Sequence, residues 1–232
     1  PSWMPGIWSS HVDVPGGRIE IFDVEPGRAV YRIRAGTGDA TAAFPLRELE
    51  EQDAARALLA VGAGVAPDKR PRGLATGGKL AVPIAVDSDW GQLIVSPDRG
   101  LSIATAREHG QLNTDEDMLE LPVIVWDGQP TATSLPGPVQ WRAALGVTSS
   151  GRVLFARGRV GSYAVLADIL VKAQCDRALA LERGSRVEGR WDRRERSGVL
   201  MRPRSEESVV YVLGSSLVPR GVRLDAVHFP PK

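Results

Sequence analysis

The sequence is poor in the residues that most often carry recognisable chemistry. It holds one cysteine, Cys175, among 232 residues. That excludes an internal disulfide and a cysteine-built zinc site within one chain. Cys175 opens an apolar stretch and reads as a buried structural thiol. The three histidines, His11, His109 and His228, stand far apart and in no metal spacing. Each reads as a surface or capping residue, and neither a hydrolytic triad nor a metal cluster is expected on them. No cofactor is called for. No run of 18 apolar residues occurs, so no transmembrane helix is expected. Lysine is confined to Lys69, Lys79, Lys172 and Lys232, and arginine supplies the rest of the positive charge. The 29 basic residues almost cancel the 28 acidic ones. A net charge of +1 gives no global field to attract nucleic acid or an acidic membrane, so neither is an expected partner. The first residue is Pro1 rather than methionine, which reads as a trimmed or mature product and leaves localisation open.

What is present is a chain of ordinary globular composition, 43% hydrophobic and 25% charged, long enough to bury a sizeable core. The segment HVDVPGGRIEIFDVEPGRAVYRIRAG holds three β-rich pieces separated by Pro-Gly turns, a meander pattern. After Pro45, LRELEEQDAARALLAVG places Leu46, Leu49, Ala54, Ala57, Leu58 and Val61 at helical spacing, with acids at its start. This predicts a first helix ended by Gly62 or Gly64. Short strands with glycine turns follow to residue 104. Residues 105–120 are acid-rich and stay ambiguous between loop and short helix. LPVIVWDGQP reads as a buried strand and turn. QWRAALGVTSSGRVLFARG is the strongest hairpin, turning at Ser149-Ser150-Gly151. SYAVLADILVKAQ predicts a helix N-capped by Ser162, with Leu166, Ile169, Leu170 and Ala173 facing the core. It leads directly into the strand CDRALALE. The sum is an α+β fold: one strand-rich domain over residues 1–232, a mixed sheet and two or three helices.

Several patterns carry less than they first suggest. The glycines of VGAGV and ATGGK have neither P-loop nor dinucleotide spacing. Of the six tryptophans, Trp126 and Trp141 read as core, while Trp90 and Trp191, beside aspartates, read as more exposed. The six arginines of RGSRVEGRWDRRERSG alternate with acids, so that stretch reads as a solvated loop.

Two places point further. On the strand 141–147 the odd positions are apolar and mostly large, while the even ones are Arg142, Ala144 and Gly146. Space above such a face suits either a closely packed helix or an anionic ligand. The strand CDRALALE ends in Glu182-Arg183-Gly184-Ser185, delivering an acid, a base, a glycine and a hydroxyl to one loop. Ligands meet the carboxyl ends of strands in this geometry. Glu182 can serve as general acid or base, Gly184 permits a left-handed turn, and Ser185 can bond a phosphate or sugar. A plain surface turn with Glu182 and Arg183 paired to neighbours is the alternative.

The order VGAGVAPDKRPRGL, GQLIVSPDRGLSI, LPVIVWDGQP, RAALGVTSSGRVLFARG, helix, CDRALALERGS resembles the phosphodiester glycosidase family over roughly residues 55–215. Gly64, Pro71 and Gly73 match its first segment, Arg142 its hairpin arginine, and Gly184 and Ser185 its glycine-serine motif. Glu182 stands where the family has aspartate. Gly62, Val65-Ala66, Ala143 and Arg183 depart from it. The resemblance implies an extracytoplasmic protein that hydrolyses sugar-1-phosphodiesters. Glu182 and Arg142 would be catalytic, with Arg183, Gly184, Ser185 and, as a weaker additional clamp, Arg72 binding a glycan or sugar phosphate. The departures leave a second expectation, an inactive glycan-binding or structural envelope domain on the same fold.

Overall fold

The structure, a computed structural model, describes residues 6–38, 49, 51–64, 72–84, 90–131, 137–182, 191–193 and 207–215. Its strands are β1 (Ile7–Val14), β2 (Gly17–Val24), β3 (Ala29–Arg34), β4 (Ala57–Gly62), β5 (Leu74–Thr76), β6 (Lys79–Val82), β7 (Trp90–Ser96), β8 (Gly100–Ala104), β9 (Asp117–Trp126), β10 (Gln129–Pro130), β11 (Gln140–Thr148), β12 (Val153–Val160), β13 (Cys175–Ala180), β14 (Trp191–Arg193) and β15 (Val209–Gly214). The helices are α1 (Glu51–Arg56), α2 (Ala106–His109) and α3 (Tyr163–Lys172).

Eleven strands form one large sheet, whose main path runs β1-β2-β12-β11-β13-β9-β5-β6. β14-β4-β15-β3 form a smaller one. Every pairing among the described residues is antiparallel. This corrects the expected α+β mixed sheet: the protein is mostly β, built from two antiparallel sheets. The physical reason lies in the connection through α3. A helix between two strands suggests a parallel neighbour, but α3 carries the chain across β11. β13 therefore joins the far edge of β11, antiparallel to it, and never touches β12 as a ladder partner.

The helix expected over residues 46–62 is also corrected. Only Glu51–Arg56 is helical among the described residues, and Ala57–Gly62 is strand β4. All six residues of β4 are buried, and β14 and β15 flank it. A short continuous apolar run cannot be assigned by periodicity, because a two-sided central strand and a buried helix look alike. α3 forms as the sequence predicts. Ser162 accepts from the Ala164 amide, and Leu166, Ala167, Ile169 and Leu170 are buried.

The core has two layers. Phe22, Val24, Leu93, Leu119, Leu145, Phe155 and Leu179 of the large sheet pack with Tyr31, Ile33, Leu58, Val61 and Val210 of the small one. Phe22 and Phe155 are cross-strand partners that meet edge to face at 6.5 Å. The opposite face of the large sheet, with Ile19, Ile21, Ala144, Leu154 and Ala156, packs beneath Leu166, Ile169 and Leu170 of α3. That helix answers the question raised by the small face of β11. At Gly146 a Cβ would lie 2.7 Å from Cys175 Sγ and 3.2 Å from Leu170 Cδ2, so only glycine fits there. Packed side chains, not a ligand, occupy the space over Ala144 and Gly146.

The acid-rich stretch ends as part of the interior. Asp117 bonds the Ile33 amide of β3 at 3.1 Å and the Gly77 amide at 2.8 Å, tying the sheets together. Glu120 bonds the Gly73 amide. One tryptophan expectation changes as well, that of Trp141, while Trp126 packs against the core as expected. Trp141 is 40% exposed and carries the Arg157 guanidinium 4.2 Å from its ring. Trp126 is half-buried, with Arg177 stacked at the same distance. Arginine stacking lets an indole stay at a surface that its apolar strand context disfavours. Trp90 is also half-buried, and the Trp191 side chain lies outside the described residues.

Candidate functional site

The register of β11 against β13 builds the site. Ala144 faces Ala180 and Leu145 faces Leu179. Beyond the last pair, the Leu181 amide donates to the Ala143 carbonyl at 2.9 Å. The same register sets Arg142 opposite Glu182. Both even-numbered side chains project to the face covered by α3, at the end where that helix begins. Arg142 Nη1 donates to Glu182 Oε2 at 3.2 Å. The pair is sheltered, with side chains 10% and 18% exposed.

Tyr163, the first residue of α3, completes the group. Its ring centroid lies 5.0 Å from the Arg142 guanidinium carbon. Its phenol oxygen is buried without a hydrogen bond of normal geometry among the described residues, as is Arg142 Nε. On the other side Gly137, whose amide donates to Gly161 at 2.7 Å, keeps the backbone close to Arg142. A Cβ at 137 would stand 3.3 Å from Arg142 Nη2. Burial raises the pKa of the Glu182 carboxyl above the ordinary range, and the Tyr163 hydroxyl and the Arg142 charge offset it only in part. Burial first, and then the charge of Glu182, pushes the Tyr163 phenol up as well. A carboxyl that holds its proton more tightly than usual, beside a fixed cation, is suited to giving that proton to a leaving oxygen.

Of the other residues singled out in the sequence, Arg72 does not join this pair. Its guanidinium lies 4.0 Å over the Trp90 ring, and its Nε is buried without a hydrogen bond among the described residues. Trp90 opens β7, which pairs with β9, the neighbour of β13, and at the next residue, Gly91, a Cβ would meet Leu179 Cδ2 at 2.7 Å. Arg183, Gly184 and Ser185 lie outside the described residues. Tyr163 was not read from the sequence as a site residue. Its one signal was its place directly after the Ser162 cap, where a helix start meets the strand ends.

A second polar cluster was also missed, because its histidine was read as superficial. Glu116, 1% exposed, accepts from Ser96 Oγ at 2.7 Å, Arg99 Nη2 at 3.0 Å and the Asn113 amide at 3.0 Å. His109 Nε2 lies 2.9 Å from the same carboxylate, and Nδ1 lies 3.1 Å from Gln92 Oε1. His109 is thus a largely buried link, which corrects its reading as a surface or capping residue. Burial opposes ionisation of Glu116, but the donors from Asn113, Ser96 and His109 outweigh it and hold the carboxyl at about 2. A cleft of about 430 Å³ opens beside Asp98, Arg99 and Asn113–Glu116. Every strong acceptor on Glu116 is already used internally, so this cluster holds the loop and offers little to a reactant. Among the described residues no group of three or more histidine, cysteine or acidic side chains could hold a metal. No helix among them is long and apolar enough to cross a membrane.

No family model matches the sequence, and no curated protein matches it. Among solved structures, the chain is similar to the zebrafish N-acetylglucosamine-1-phosphodiester alpha-N-acetylglucosaminidase catalytic domain auto-inhibited by pro-peptide. The TM-score is 0.59 at 15% identity, covering 89% of this chain and 82% of that one. At that identity the likeness establishes a distantly related fold. A hypothetical protein from Synechocystis aligns with a TM-score of 0.48 and 11% identity, over 90% of this chain and 62% of that one.

Proposed function

We propose that residues 1–232 form one phosphodiester-glycosidase-like domain that acts on sugar-1-phosphodiesters outside the cytoplasm, at the Arg142–Glu182 pair. The observation that carries this reading is the cross-strand pair itself, a guanidinium 3.2 Å from a sheltered carboxyl whose pKa is raised. The fold shared with a phosphodiester glycosidase catalytic domain supports it. In the reaction Arg142 clamps the phosphate, and Glu182 gives its proton to the departing phosphate oxygen. The anomeric C–O bond breaks, water supplies the new hydroxyl at that carbon, and the proton that water gives up restores the Glu182 acid. Arg183, Gly184 and Ser185, next in the chain, bind the substrate, and Arg72 is an outlying cation. The ligand is a glycan or sugar phosphate.

One observation favours a second reading. Arg142 is already committed to Glu182, and Gly62, Val65-Ala66, Ala143 and Arg183 depart from the motifs the sequence resembles. On that reading the domain binds sugar phosphates, or serves as a structural envelope domain, without cleaving them. Incubating the purified chain with a panel of sugar-1-phosphodiesters separates the cases. The hydrolytic reading expects free sugar, with Glu182→Gln slower by about 10²–10⁴-fold, the usual worth of a general acid. Saturable binding without release supports the silent domain. Release by Glu182→Gln at the wild-type rate would overturn the assignment of the acid.

A further inference from the structure

The Arg142–Glu182 contact has a chemical consequence if the site takes an anion, and the inference drawn from it rests on the function proposed above. One guanidinium serves two acceptors in turn: the carboxylate it now bonds at 3.2 Å, and the phosphate it would clamp. It is anchored by its own strand and by the Tyr163 ring, so it cannot follow a ligand far. An incoming phosphodiester therefore competes directly with Glu182. When the cation turns to the phosphate, Glu182 loses its partner and gains a negative neighbour, both of which favour its protonated form. Among the described residues the groups facing Glu182 are Arg142 from β11 and Tyr163 from α3. The Tyr163 hydroxyl is buried and makes no hydrogen bond of normal geometry among the described residues, but after burial Glu182 is the group that raises its pKa most, and it in turn helps hold the Glu182 pKa down.

We propose that anion binding at Arg142 is coupled to uptake of one proton by Glu182, with the Tyr163 hydroxyl as the positioning donor that closes onto the carboxyl when the guanidinium leaves it. The proton comes from solvent, and no other bond is made or broken in this step. Loading the acid and seating the substrate are then one event, so an empty site rests as a closed ion pair. Reciprocity follows: if the anion raises the Glu182 pKa, protonated Glu182 raises anion affinity by the same factor.

The test uses the full chain and dimethyl phosphate, a phosphodiester monoanion that does not itself titrate near neutrality. The Glu182 carboxyl resonance, assigned by its loss in Glu182→Gln, is followed against pH with and without saturating probe. The Arg142 guanidinium NH resonances report occupancy. The expected result is an upward movement of the Glu182 midpoint by about one pH unit or more, with probe affinity about tenfold higher below that midpoint than above it. Tyr163→Phe keeps the ring and removes the donor, so it should raise the midpoint of the free protein. A ring that merely packs would leave that midpoint unmoved, which would overturn the role given to Tyr163. A probe that shifts Arg142 but not the Glu182 titration refutes the coupling and leaves the anion site standing. A probe that never shifts Arg142 removes the anion site, and the coupling with it.

Discussion

Replacing Glu116 with glutamine exchanges one oxygen for an amide nitrogen and deletes one buried charge. In the native protein that carboxylate collects bonds from Ser96, Arg99, His109 and the Asn113 amide, and its pKa falls from 4.5 to about 2. At ~1.36 kcal/mol for each pH unit, the depression corresponds to about 3 kcal/mol of stability. The direction follows from linkage. A carboxyl more acidic in the folded state stabilises it fully above the unfolded value, and the contribution is lost as pH falls through the folded value. The window is therefore 4.5 down to about 2. At pH 3 the same linkage leaves about 1 kcal/mol, and well below pH 2 almost nothing. Urea unfolding of wild type and Glu116→Gln at pH 7, 5, 4 and 3 measures the difference directly. We expect a gap of about 3 kcal/mol at pH 7 that narrows steadily toward pH 3. A gap that is the same at every pH, or below about 1 kcal/mol at pH 7, would show that Glu116 does not organise the loop as described.

Other perturbations read other contacts. Gly146→Ala places a Cβ 2.7 Å from Cys175 Sγ, and thermal melts should show a loss of about 1–3 kcal/mol; an unchanged melt would mean α3 is not seated on β11. Ser162→Ala removes the cap of α3 and should cost about 1 kcal/mol in urea unfolding, with little change from Ser162→Asp. Burial, above all, pushes the Cys175 thiol up to about 12, so an aromatic disulfide reagent at pH 8 should label it only after denaturant is added. Prompt labelling of the native chain would contradict the packing around Gly146.

Much of the fold was legible because its causes are local. The β11–β12 hairpin, the Ser162 cap and apolar stripe of α3, and the apolar run of β13 each declare themselves within a dozen residues. The single cysteine likewise rules out an internal disulfide from the sequence alone. Partnership across distance was not legible in the same way. β4 was taken for helix because both faces of its six residues are buried by strands from elsewhere in the chain. The mixed sheet was expected because nothing local says on which side of β11 the chain returns. Three acids at the end of a stretch whose sequence fits either loop or short helix are buried anchors only because amides from Gly73, Gly77, Ile33 and Asn113 converge on them.

The candidate site divides along the same line. Sequence by itself supplied Arg142 on a small-residue strand and Glu182 at the end of another, since alternation and strand ends are short-range features. Tertiary structure alone decided that the two side chains, 40 positions apart, stand opposite each other. It also decided that Tyr163 closes over them. That placement follows from strand register and from the path of α3, which depend on burying the whole sheet face at once.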